Sequence, residues 1–229
     1  MAGASKPIGV YLEIGKTRTF AGALDWPGWC RSGRDEAAAL ETLLEYAPRY
    51  TRVLRQARLG FRAPKDASDF VVRERLAGNA TTDFGAPDMP TAHDSDPIED
   101  PELRRFQAVL KASWRTFDSA VVAAKGKVLR KGPRGGGREL DEIVRHLLEA
   151  DSAYLARLGI RFRFAEGDDP QQELGRTRQA ILQALSSASS GGTPKQGPRG
   201  GLRWTPRRFV RRVAWHVLDH AWEIEDRIR

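Results

Sequence analysis

The sequence predicts an α+β protein in two parts: a small ββαβ unit over residues 1–80 and a four-helix bundle over 101–229. An acidic, proline-rich stretch, 81–100, joins them. Three observations carry this reading. The first part holds short segments rich in β-branched and aromatic residues around one amphipathic stretch. The second holds long segments with apolar residues at helical spacing. Three of those long segments open alike, with a polar capping residue followed at once by proline.

The elements follow in order. "IGVYLEIG" (8–15) and "RTFAGALDWPG" (18–28) are strand-like and meet at the turn "GKT", which predicts a hairpin whose second strand is stopped by Pro27 and Gly28. Asp35 is placed to cap a helix running to about Arg58, with Leu40, Leu43, Leu44, Ala47, Tyr50, Val53 and Leu54 on one face. "DFVVRERLAG" (69–78) alternates as a third strand. The next stretch, "NATTDFGAPDMPTAHDSDPIEDP", has four prolines and six acidic residues and no Lys or Arg. It reads as a linker or extended strap, with His93 as a solvated loop residue.

Helical spacing then takes over. Asp100 and Pro101 start a helix carrying Leu103, Phe106, Leu110, Trp114, Phe117 and Val121. A second helix runs from about Glu139 to a stop at Gly159, with Leu140, Ile143, Val144, Leu147, Tyr154 and Leu158 inward. Asp169 and Pro170 open a third, to about Ser187, and "SSASSGGTPKQGPRGG" follows as a flexible loop. Thr205 and Pro206 open the fourth.

Composition narrows the function classes. The chain has 229 residues, 40% hydrophobic and 30% charged, enough to bury a sizeable core. One cysteine, Cys30, excludes an internal disulfide framework and suits a reducing compartment. No run approaches the ~18 apolar residues of a membrane span, and "MAGASKP" leads into no signal-type hydrophobic stretch. A cytoplasmic protein without a membrane partner is expected. The net charge of +8 and pI of about 10.0 admit nucleic acid as a partner, but the arginines are dispersed among acids, so this is the minor reading.

The chemistry concentrates in "RRVAWHVLDHAWEIEDRIR" (211–229). Residues four apart on a helix share a face, so Phe209, Val213, His216, His220 and Ile224 form one stripe. Imidazoles inside a bundle need a hydrogen-bond partner or a metal. His146, on the second bundle helix, is the third candidate, and Glu142, Glu149 and Asp219 are candidate partners for ligating imidazoles. Two hydrogen-bonded core histidines are the plain alternative to a metal site. Trp215 and Trp222 are expected to face away from the histidines and pack elsewhere.

Other signals are weaker. Cys30 lies near Arg31 and Arg34, but a lone cysteine beside strand residues is usually inert. The run "RWTPRRFVRR", with Arg207, Arg208, Arg211 and Arg212, reads mainly as a solvated helix face, with phosphate or a carboxylate-bearing thiol cofactor as the other reading. The glycine-rich "GPRGGGR" and "GPRGG" lack the Lys-Ser/Thr of a phosphate-binding loop.

With "RELDEIVRHLLEADSAYLARLG" and "RRVAWHVLDHAWEIEDR", residues ~100–229 resemble the DinB-like (YfiT-type) family of four-helix bundles. The resemblance implies a divalent metal, commonly zinc or nickel, held by three ligands that are usually histidines, one from the second helix and two from the last. It also implies thiol-dependent transferase or isomerase chemistry with mycothiol, bacillithiol or glutathione. His146 matches the first ligand. Many members carry a further histidine one turn beyond the "DH", where this chain has Ile224. Aligned one turn earlier, His216 and His220 supply the pair, with Glu223 a poorer substitute.

Residues ~8–78, with "FAGALDWPGWCRSGRDEAAALETLLEY", are similar to the HicB-like pattern of strand, "D-x-P-G" turn, glycine and "EAL"-rich helix. That resemblance implies a ββαβ scaffold of the antitoxin type and a partner-binding or dimerising module, though no separate DNA-binding helix–turn–helix or ribbon is evident. The combined expectation is a metal-dependent thiol-cofactor (mycothiol-type) transferase or isomerase. It would act on a small-molecule thiol or electrophile, hold its metal on His146, His216 and His220, and form a homodimer. Its catalytic and cofactor-binding residues are not identifiable from sequence. The alternative is a non-catalytic regulatory or partner-binding protein with a degenerate metal site, using its first domain on protein or nucleic acid.

Overall fold

The computed structural model describes residues 7–131, 137–164, 169–191 and 203–228. The chain divides into two compact units, Met1–Asp96 and Pro97–Arg229.

The first unit is built on a four-stranded mixed sheet. β1 (Ile8–Ile14) and β2 (Thr19–Ala23) form the expected antiparallel hairpin, and β4 (Phe70–Ala77) lies parallel to β1. A further strand, β3 (Cys30–Gly33), pairs with β2, giving the order β3-β2-β1-β4. β3 is missing from the sequence reading because "CRSG" has neither apolar alternation nor length. Its Gly33 is required by close approach: a Cβ there would lie 2.4 Å from the backbone of Ala38 and Ala39.

Asp35 caps α1 (Glu36–Glu45), accepting from the Ala38 amide at 2.9 Å. The single helix expected to reach Arg58 is broken. Pro48 has no amide to donate, so the chain caps at Tyr46 and restarts as α2 (Ala47–Leu54). Both helices still bury the predicted face, with Leu43, Ala47, Tyr50, Val53 and Leu54 inside. Trp29 sits at the centre of this core. Its ring stacks on Tyr50 at 5.6 Å, its indole nitrogen donates to the Leu43 carbonyl at 2.9 Å, and the Tyr50 hydroxyl donates to the Pro27 carbonyl at 2.8 Å. Cys30 is buried on β3, accepting from the Tyr11 hydroxyl at 3.5 Å.

Beyond β4 the chain stays with this unit. α3 (Ala80–Phe84) and a short turn at Ala92–Ser95 lie in the segment expected to be a linker. A buried carboxylate holds it. Glu13 on β1 accepts from the Thr82 hydroxyl at 2.6 Å, the Asp88 amide at 2.8 Å and the Met89 amide at 3.0 Å. Glu74 on β4 accepts from the Ala92 amide at 2.9 Å. His93 is not a solvated loop residue: its Nδ1 lies 2.7 Å from Asp96 and its Nε2 lies 3.8 Å from Asp25. Residues up to Asp96 are therefore a fastened strap.

The second unit packs α4 (Asp100–Ala124), α5 (Leu140–Arg157), α6 (Pro170–Gly191) and α7 (Pro206–Arg227). α4 starts one residue earlier than its sequence implies, with Glu99 rather than Asp100 at the cap and Pro101 inside the first turn. Thr205 caps α7 through the Arg208 amide, and Gly159 ends α5 at a positive φ of 89°. α6 runs on to Gly191, so the expected loop after Ser187 begins as helix. The rest of that loop, and 132–136 within "GPRGGGR", lie outside the described residues. α7 packs against both α4 and α5, and buries Phe209, Val210, Val213, Ala214, Val217, Leu218, Ala221 and Ile224 completely.

The basic run at the start of α7 is not a solvated face. Arg207 and Arg211 are buried. Arg207 forks onto the Glu102 carboxylate of α4, with one Nη2 contact at 2.7 Å, donates to the Pro97 carbonyl at 2.9 Å and stacks on Phe106. Elsewhere Arg178 of α6 forms a two-point pair with Asp118 of α4 at 2.7 and 2.8 Å. Asp151 of α5 is wholly enclosed, and its Oδ1 has no hydrogen-bond partner among the described residues. Burial pushes its carboxyl up to about 7, against the pull of the Arg178 guanidinium.

Two outcomes follow from these buried acids. Glu13→Ala strands three donors in the interior and should destabilise the first unit by about 3 kcal/mol. Urea unfolding, with hydrogen exchange at the Asp88 and Met89 amides, measures this, and unchanged protection there would refute the clamp. For Asp151, the unfolded carboxyl titrates near 3.9 and the folded one at about 7. The folded state therefore keeps a proton that the unfolded state loses, and stability falls as pH rises through this window. Asp151→Asn should remove the slope, matching wild type below about pH 4 and exceeding it above about pH 7 by on the order of 3–4 kcal/mol. Parallel pH profiles for the two proteins would contradict it.

Candidate metal centre

The packing of α7 on α5 brings three imidazoles together. His216 and His220 stand one turn apart on α7, as their spacing dictates, and His146 reaches them from α5. The Nε2 of His216 lies 3.2 Å from that of His146 and 3.1 Å from that of His220. The ring centroids are 4.7–5.1 Å apart, each pair near-perpendicular. His216 and His220 are buried, and His146 is half-exposed.

Both His146 and His216 are held neutral. Burial is the main cause for each, followed by the Arg138 charge at His146 and by His220 and Arg212 at His216, which lies well below the usual imidazole range. A neutral ring with an available lone pair is the form that binds a metal.

His220 has its tautomer set from behind. Its Nδ1 is 2.8 Å from Glu223 Oε2, so that nitrogen donates to the carboxylate and Nε2 is turned toward the other histidines. The second oxygen of Glu223 accepts from Arg227 Nη1 at 2.6 Å. Burial opposes the charge on Glu223, but the hydrogen bonds and charges of His220 and Arg227 outweigh it and keep its carboxyl below the ordinary range. Arg227 in turn donates through Nε to the Arg130 carbonyl at 2.8 Å, beside a single bridge between Leu129 and Ile228.

This donor set fits a tetrahedral transition-metal ion. Metal–nitrogen bonds of about 2.0–2.1 Å at tetrahedral angles place ligand nitrogens about 3.3 Å apart; the His216–His146 and His216–His220 spacings are close to that, and all three donor atoms lie within 4.8 Å of one another. Hydrogen bonding alone leaves the cluster in conflict. His216 can donate an Nε2 proton to only one of its two neighbours, and its buried Nδ1 has no hydrogen-bond partner among the described residues. Among the described residues no carboxylate belongs to the cluster.

The three predicted residues thus stand together; of their predicted supports, Glu149 acts on His146 only through its charge and Glu142 is engaged elsewhere. Glu142 caps α5, accepting from the Glu139 amide at 2.9 Å, and Glu149 is exposed. The partner is Glu223, three residues after His220, a spacing visible in the sequence but read there only as a substitute ligand. Ile224 is fully buried core. Trp215 is not remote from the cluster: its ring lies 6.0 Å from that of His216. Tyr154 of α5, 5.8 Å from the His216 ring, and Arg212, which donates to its hydroxyl at 3.2 Å, complete the surroundings.

No protein-family model, curated protein or solved structure matches this chain. Among the described residues no helix is long and apolar enough to cross a membrane.

If the carboxylate fixes His220, Glu223→Gln should weaken divalent-metal binding by roughly tenfold to a hundredfold. A chelator-competition titration measures it, and an affinity equal to wild type would discount the support.

Proposed function

We propose that this protein is a metal-dependent enzyme acting on low-molecular-weight thiols, of the transferase or isomerase type, with a zinc or nickel ion on His146, His216 and His220. The observation that carries the reading is the convergence of three Nε2 atoms from two helices, with the proton of His220 committed to Glu223. Three protein ligands leave a coordination position for an exogenous group, the arrangement of catalytic rather than structural sites. When bound, the metal supplies Lewis acidity that stabilises a thiol as its thiolate.

The chain's own residues supply the rest. His216 and His220 are buried in α7's packing, which limits their contact with water. Half-exposed His146 marks the side open to solvent, and so the side from which a small molecule enters. Glu223 and Arg227 hold His220 in one orientation. The resemblances to DinB-like and HicB-like proteins support the same assignment. They also make the first unit a module for contact with a partner or a second copy.

Elemental analysis of the purified protein tests the reading. One divalent ion per chain is expected, lost in His146→Ala with retention of helical circular dichroism. Less than about half an ion per chain, unchanged by that substitution, would overturn it.

A further inference from the structure

The charge of the first unit is unevenly spread. Residues 1–96 contain thirteen Lys and Arg against thirteen Asp and Glu, so the unit is neutral as a whole. Six of those cations fall within 49–65, and no acid does. That segment is α2, the single 3-10 turn Arg55–Ala57 that continues it, and the start of the loop leading to β4. Arg52, Arg55, Arg58 and Arg62 are all exposed, and among the described residues none of them has an ion-pair partner. Arg75, Arg178, Arg207 and Arg227, by contrast, are each paired with a carboxylate. The three-residue steps from Arg49 to Arg52 to Arg55 set like charges beside one another, which works against the helix.

Arg52 has a plain reason to be where it is, since a cation in the last turn of α2 suits the helix dipole. Arg58 has none. It ends the 3-10 turn in the left-handed conformation, φ 50° and ψ 39°, and among the described residues no other non-glycine has a positive φ. Glycine or asparagine meets that geometry with less strain, and an exposed side chain adds little packing to offset it. The backbone here is nonetheless anchored. Phe61 meets Trp26, Trp29 and Tyr50 edge-on, at 4.8, 5.2 and 5.1 Å between ring centroids. Arg58 and Arg62, on either side of Phe61, are thus displayed from a fixed loop.

We propose that Arg52, Arg55, Arg58 and Arg62 form a surface that binds the phosphate backbone of duplex DNA without reading its sequence. Guanidinium groups pair with phosphate oxygens, and the gain comes from counterions released by the duplex. Single strands are held on exposed aromatic platforms, whereas the aromatic rings of this segment pack inward. Duplex RNA is recognised partly through its 2′-hydroxyls. The hydroxyls of 49–65 are committed, Thr51 to the Ala47 carbonyl at 2.8 Å and Tyr50 to that of Pro27. Nothing in this surface depends on a metal or a thiol.

The test is fluorescence anisotropy of the full chain with a labelled duplex of about 20 base pairs and arbitrary sequence, over a range of salt. Affinity should fall with added salt at a log–log slope of about −3 to −4, the value for four phosphate contacts. Arg58→Asn should lower affinity roughly tenfold and make the slope shallower by about one, while the thermal midpoint stays unchanged or rises. Changing all four arginines to glutamine should abolish binding with the circular dichroism retained. If that variant does not fold, Arg58→Asn and Arg62→Gln decide. A salt-independent affinity, or wild-type affinity in these variants, would overturn the proposal. So would a lowered midpoint in Arg58→Asn, which would give the side chain to the fold instead. Tighter binding to single strands, to duplex RNA or to anionic phospholipid vesicles than to duplex DNA would overturn the choice of partner.

Discussion

A helix buried on nearly every side must bring its charges inside with it, and α7 does so at both ends. At its start, Arg207 is only 5% exposed and is forked onto Glu102. At its end, Arg227 is 9% exposed and lies between the Glu223 carboxylate and the Arg130 carbonyl. The Arg207–Glu102 pair and the Arg227–Arg130 hydrogen bond both reach off the helix, so each acts as a stop on sliding, whereas the Arg227–Glu223 pair lies within α7 itself. Apolar packing alone tolerates small shifts along the axis, but ion pairs with fixed partners do not. The position of His216 and His220 opposite His146 depends on these two stops. A displacement of one turn, about 5.4 Å, would carry both imidazoles past their partner.

Within those stops, local geometry does the rest. The i, i+4 relation sets His216 beside His220, and the i, i+3 and i, i+4 relations put Glu223 behind His220 and Arg227 behind Glu223. α7 therefore carries two of the three ligands together with the hydrogen-bond chain that orients one of them. α5 contributes His146, Ala150 and Tyr154 along a single line. Rigid elements, not loops, carry every group of the candidate site, which favours fixed rather than induced geometry.

Much of this was legible in the sequence, and the exceptions share a cause. A capping residue followed by proline located the starts of three bundle helices, and apolar spacing the start of the other, within a residue, because these signals are local. The hairpin and the parallel strand were legible from apolar alternation, and the histidine cluster from helical spacing. Features that depend on contacts between distant residues were not. β3 exists because β2 offers it a ladder, not because "CRSG" favours a strand. The strap reads as a linker because its prolines and acids are linker-like, and only the burial of Glu13, some seventy residues away in the chain, fastens it. Arg207 reads as solvated until Glu102 faces it. Pro48 is the one local signal overlooked, a proline inside a helical pattern.

The all-imidazole character of the cluster bears on which ions it can tell apart. Calcium and magnesium are hard cations that prefer oxygen, and they are by far the most plentiful divalent ions in most biological fluids. The carboxylate hydrogen-bonded to the cluster, Glu223, has both oxygens engaged, one by His220 and one by Arg227. The cluster therefore offers hard cations nothing to bind, and abundance gives them no advantage. Among ions that do favour nitrogen, affinity follows the order of the first-row series, in which copper outranks both nickel and zinc. Three imidazole rings contain no feature that reverses that order, so occupancy is decided by which of these ions the surroundings supply.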